Sequence, residues 1–309
     1  MHGVRLPETL ALVDSGRPPE LQATDERGWF RFQRLYDAAR SVVRGVDDIR
    51  RLVLEAAQDD GAEGSGWLEI QVDPTSYAPH LDGLTPAVEV VLDAARAATA
   101  ATGVGVGVVI AANRTRHPLD ARTLARLAAR HAGDGVVGFG LSNDERRGRT
   151  ADFGPAFAIA SRAGLVSAPH AGELAGPGSV RTALDTLGAQ RIGHGVRSVE
   201  DPALLDRLAA AGVTLEVCPA SNVRLGVFRD LAAVPLRALH DAGVPMALGA
   251  DDPLLFGSRL LEQYETARTV HGFSDVELAE LARASVRASR APSDVRTRLL
   301  AGIEDWVRG

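Results

Sequence analysis

A single cysteine, Cys218, occurs in the 309 residues, which excludes an internal disulfide framework and any Cys-x-x-Cys zinc site. The scarcity points to a reducing compartment, with the cytoplasm as the expected location. A long hydrophobic run is missing too. The most apolar stretch, VGVGVVIAA at 104–112, is far too short to span a bilayer, and no basic segment followed by an apolar one opens the chain, so no membrane partner is expected. An excess of positive charge is also absent: 34 Lys plus Arg stand against 40 Asp plus Glu, and the net charge of −6 offers no footprint for nucleic acid. A small-molecule partner fits better. No low-complexity linker interrupts the chain, and 45% apolar residues suffice for one large core, so a single domain over 1–309 is expected.

What is present is a repeating pair of short β-rich run and amphipathic helical run, from about residue 66 to about 260. Strands are expected at GWLEIQV (66–72), VGVGVVIA (104–111), GVVGFGL (135–141), GLVSAPH (164–170), RIGHGV (191–196), VTLEVC (213–218) and VPMALGA (244–250). The punctuation between them agrees. In DPALLDRLAAAG, Asp201 can cap, Pro202 suits the first turn, Leu204, Leu205 and Leu208 form one face, and Gly212 ends the helix. Near-continuous apolar strands alternating with helices imply a parallel α/β sheet covered by helices, either a barrel or a doubly wound sheet. Residues 1–65 read as helices, and further helices fill 261–309, one opened by a capping box at Ser274 and Glu277.

Polar residues gather just after the apolar part of several strands: His170 and Glu173, then His194, then Ser221 and Asn222, then Asp251 and Asp252. In a β/α barrel all such ends open onto one mouth, so residues distant in sequence converge there. Each has a bland reading when taken alone. His170 and His194 could be packed core histidines, Glu173 could stabilise the next helix N-terminus, and either aspartate of DDP could cap the turn at Pro253. The glycines flanking His194 would permit close approach of a ligand. Taken together, imidazole and carboxylate at these strand ends suit zinc with an open coordination position for water. Cys218 reads as a small buried apolar residue rather than a ligand.

The segments HAGE, RIGHGV, EVCPASN and ALGADDP, in that order and at those separations, resemble the adenosine and adenine deaminase family of the amidohydrolase superfamily. RLPETLALV resembles that family's first helix, and VVGFGLSNDE resembles its fourth-strand segment, with Asn143 standing where many members have glycine. The resemblance implies an eight-stranded TIM-type β/α barrel with extra helices and one Zn2+. It implies His170 and Asp251 as metal ligands, Glu173 as proton donor to purine N1, His194 as the residue that orients the attacking water, and Asp252 as partner of purine N7. Gly140, Ser142, Asn143 and Gly172 would then border the substrate. Hydrolytic deamination of a 6-aminopurine follows, adenosine to inosine plus ammonia being the leading expectation. Adenine, aminodeoxyfutalosine or a non-catalytic purine-binding barrel are the alternatives.

In that family a strand ending in His-x-His precedes the glycine that here corresponds to Gly3. The pair would fall before Met1, so the chain is expected to lack both ligands and the first barrel strand, and to hold zinc weakly. Seven expected strands leave an eight-stranded barrel one short. His2 is the N-terminal histidine that could substitute. His80, His117, His131, His240 and His271 have no strand-end context and read as solvated or packed.

Overall fold

The computed structural model describes residues 26–309; His2, the RLPETLALV segment and the position of any His-x-His pair lie outside them. Two helices come first, α1 (Glu26–Arg40) and α2 (Val46–Ala62). Strands and helices then alternate: β1 (Trp67–Val72), α3 (Leu84–Thr102), β2 (Gly105–Asn113), α4 (Pro118–Arg130), β3 (Val136–Ser142), α5 (Gly154–Arg162), β4 (Val166–Ala171) and α6 (Pro177–Leu187). The series continues through β5 (Arg191–His194), α7 (Pro202–Ala211), β6 (Thr214–Val217), the short α8 (Pro219–Arg224) and α9 (Leu236–Asp241), and β7 (Met246–Leu248). Four helices close it: α10 (Pro253–Phe256), α11 (Leu260–Thr269), α12 (Asp275–Ala288) and α13 (Ser293–Arg308).

All seven expected strands form, in one parallel sheet whose order runs β1 to β7 without reversal. That settles the open alternative, because a doubly wound sheet reverses its strand order at a switch point. The result is a curled, barrel-like α/β sheet. Among the described residues β1 pairs with β2 alone and β7 with β6 alone.

Alternation along each strand sorts side chains between two environments. Val106, Val108, Ile110 and Ala112 of β2 face outward into the packing with the helices, while Val109, Ala111 and Asn113 line the interior. In β6 and β7, Leu215, Val217 and Met246 pack outward, whereas Glu216 and Ala247, with Cys218 and Gly249 just after the two strands, line the interior. The interior is therefore where polar groups collect. At one level Arg191 bridges Glu69 at 2.6 Å and Glu216 at 3.0 Å, tying β1, β5 and β6 together.

The helix signals hold as well. Asp201 accepts from Leu204 N at 3.2 Å, Gly212 ends α7 at φ +63, and Leu204 and Leu208 are fully buried. At α12 the Ser274 N–H donates to Glu277 Oε2 at 2.8 Å, completing the box. No helix among the described residues is long and apolar enough to cross a membrane.

Candidate active site

Four strand ends deliver the site. His170 is in β4, His194 ends β5, and Asp251 and Asp252 follow β7; after β6, Ser221 and Asn222 sit on α8. The His170 and His194 rings lie 5.1 Å apart. His194 Nε2 is 3.6 Å from Glu173 Oε1 and 3.8 Å from Asp251 Oδ2, while its Nδ1 faces Asn222 Nδ2 at 3.2 Å. Ser221 Oγ donates to Asp251 Oδ2 at 2.6 Å. Two of the bland readings do not match the geometry. Asp252 is the N-cap residue of α10 without a side-chain capping bond, and α6 begins after Gly176, too late for Glu173 to cap it.

The glycines beside His194 also meet packing demands, and Gly193 lines the cavity. A Cβ on Gly193 would lie 3.0 Å from Cγ and Nδ1 of His170, and one on Gly195, at φ +68, would meet Leu215 Cδ2 at 2.5 Å. Gly172, at φ +71, likewise backs onto Val180, and Gly140 backs onto the Gln71 amide; neither lines the cavity. Ser142 and Asn143 do line it. Asn143 Nδ2 donates to Gln33 Oε1 of α1 at 3.3 Å, so α1 is tied to the end of β3 within the cavity lining. Beside it Phe32 of α1 stacks on Phe256 of α10 at 5.6 Å. The cavity has a volume of about 1140 Å3 and runs from these groups down to Glu69, Arg191 and Glu216. The α1 residues Gln33, Phe32 and Tyr36 carry no periodic or motif signal in the sequence that would have assigned them here.

Charge at the site follows from burial. Burial pushes the Glu173 carboxyl up to about 7, with Asp251 and Glu145 adding to it against His194. Asp252 is pushed by burial up to about 6. Burial, then the His194 ring beside it, holds His170 well below the ordinary histidine range, so its imidazole is neutral with a lone pair available. For His194 burial opposes the charge, but Glu173 and Asp251 outweigh it and raise the ring above the ordinary value.

The donors suit a divalent transition metal. Buried His170 Nδ1 and Glu173 Oε1 have no hydrogen-bond partner among the described residues, and such orphans are uncommon unless a ligand completes them. Ligand atoms of His194, Cys218 and Asp251 lie within 4.8 Å of one another. Cys218 is buried as expected, but its thiol thus borders the cluster instead of the helix layer.

A family model described as adenosine deaminase matches residues 1–306. A Streptomyces virginiae protein, provisionally named an adenosine/adenine deaminase, is 68% identical over 308 residues, covering 100% of this chain and 90% of its own. The crystal structure of an adenine deaminase from Arthrobacter aurescens is similar at 30% identity with a TM-score of 0.89, over 99% of this chain and 92% of that one. The fold also matches a Burkholderia ambifaria amidohydrolase solved with bound zinc, at 21% identity and a TM-score of 0.81, over 98% and 94% of the two chains.

Proposed function

This chain belongs to the adenosine deaminase family, and from that premise we propose that it hydrolyses the 6-amino group of a purine, releasing ammonia and leaving the 6-oxo base. The observation that carries this reading is the meeting of Glu173, His194 and Asp251 within 4 Å contacts at three strand ends.

His170 and Asp251 are the residues that would hold the metal, His170 through its neutral ring and Asp251 through a carboxylate oriented by Ser221. When bound, a divalent metal supplies Lewis acidity that lowers the pKa of water towards about 7. Glu173, with a pKa near that of the medium, donates its proton to purine N1, which makes C6 electrophilic. His194 directs Nε2 at the same region and orients the attacking water, its ring fixed at Nδ1 by Asn222. Asp252, shifted by burial towards its protonated form, donates to N7, a pure acceptor.

Within the 6-aminopurines adenine is the substrate this site supports best. The Asn143–Gln33 bridge lies in the cavity wall, where it takes up room that the sugar of a nucleoside would need, and the Arthrobacter aurescens relative is an adenine deaminase. Adenosine and aminodeoxyfutalosine are the competing substrates. Ammonia release from all three, by the wild type and by Glu173→Gln, tests the reading. Adenine is expected to react fastest, and the variant to lose roughly 10²–10⁴-fold in turnover while still binding purine, the range of general acid catalysis. Tight purine binding without ammonia release from any of the three would favour the non-catalytic barrel.

A further inference from the structure

One buried carboxylate grips the turn after β4. Glu145, 6% exposed in the loop after β3, accepts hydrogen bonds from four consecutive backbone amides. Gly172 N donates to Oε1 at 2.5 Å, and the amides of Glu173, Leu174 and Ala175 donate to Oε2 at 2.9, 2.8 and 2.9 Å. The upstream end of the same segment is held by Arg114, which is 1% exposed. Its Nη2 donates to the His170 carbonyl at 2.5 Å and its Nη1 to Thr150 Oγ1 at 3.2 Å. From the other side the Arg197 amide donates to Gly172 O at 2.9 Å, and Arg197 Nη1 donates to Leu174 O at 3.2 Å.

Four amides converging on one anion resemble a capped helix start, yet no helix begins there; α6 opens at Pro177. The turn enters through Gly172 at φ +71, a conformation without a steady hydrogen-bond ladder of its own. Its geometry is therefore set by what accepts its amides, and a carboxylate offers two full acceptor oxygens where a carboxamide offers one. The segment so fixed carries Glu173, whose Oε1 finds no hydrogen-bond partner among the described residues. Besides His194 Nε2 at 3.6 Å, it is the backbone beneath it that aims that carboxyl.

We infer that Glu145, assisted by Arg114, is a positioning residue for the reaction at this site: it fixes the 172–175 backbone and through it directs the Glu173 carboxyl at the substrate. The inference rests on the aminohydrolase reading. Misplacement of an acid by about 1 Å costs on the order of 10²-fold in rate, whereas substrate contacts made by other groups survive it.

The test compares wild type, Glu145→Gln, Glu173→Gln and the double variant in ammonia release from adenine, with amide hydrogen exchange as a second readout. Glu145→Gln should lower kcat by about 30–100-fold, move KM by less than about threefold, and speed exchange at 172–175 with the remaining strands unchanged. On the Glu173→Gln background it should cost less than about threefold more, because the group it aims is already gone. Losses that multiply in the double variant, a loss confined to KM, or unchanged exchange at 172–175 overturn the inference. If Glu145→Gln does not fold, Arg114→Lys, which keeps the charge but not the fork, must give the same split between kcat and KM or the inference falls. A wild type that releases no ammonia from any purine overturns the proposed function instead, and the exchange measurement still decides whether Glu145 fixes the turn.

Discussion

Asn143, His194 and Asp251 are held at φ +79, +64 and +58, a region that residues with a Cβ avoid. Only Asp82 shares it among the described non-glycine residues. Such conformations cost on the order of 1–3 kcal/mol each and persist where surrounding contacts over-determine them. Here the contacts are visible: Asn143 bonds Gln33 and the Asp144 amide, His194 meets Asn222, and Asp251 meets Ser221. Residues 251 and 252 are neighbours with separate proposed roles, which leads to a prediction at this scale. Asp251→Ala should reduce bound zinc, read by elemental analysis, while Asp252→Ala should leave zinc in place and weaken adenine binding by about tenfold, the cost of leaving the buried N7 acceptor unpaired. Equal zinc loss in both variants would show that the two roles are not separable.

At the scale of the element, periodicity made the strands legible before any coordinates, because an apolar run flanked by turn residues reports a buried strand wherever it lies. The glycines within them were legible as residues but not in purpose. Gly193 leaves room for the His170 ring of the adjacent strand, a fact set by the β4–β5 register that pairs His170 with Gly193. Gly193→Ala is therefore expected to keep the fold and displace His170, lowering zinc affinity about 10–100-fold, as changes behind a ligand typically do. A metal titration that returns the wild-type affinity would mean that the ring has room to move without consequence.

The whole molecule adds couplings that no single element contains. Arg191 between Glu69 and Glu216 ties three strands across the interior. Asp60, late in α2, is another case: burial pushes its carboxyl up to about 6, with Glu63 adding to the shift and Arg259 opposing it. Folding thus favours the protonated form, so this contribution to stability is complete below about pH 4 and is lost as pH rises through about 6. Asp60→Asn should match the wild type near pH 4 and exceed it at pH 8 by about 1–2 kcal/mol, after allowance for the partial exposure of the group. Urea unfolding at the two pH values checks the sign; a variant less stable at pH 8 would show that the Asp60 charge is satisfied in the fold.

The sequence by itself determined the element order, the parallel α/β class, the capping at Asp201 and Ser274, and the strand-end placement of His170, His194 and Asp251, all of which depend on periodicity, turn chemistry or short spacing. Tertiary structure alone decided which of those ends touch. The order β1 to β7 and the curl of the sheet bring residue 173 to 194 and 194 to 251, place Gln33 against Asn143, and put the Glu145 carboxylate beneath four amides nearly 30 residues on. Those pairings are non-local. Glu145 in particular looks like any acidic loop residue, since nothing within several positions of it reveals where its acceptors will be used. Local patterns record what a segment becomes, while the partners of a buried polar group are fixed by the closing of the sheet around it.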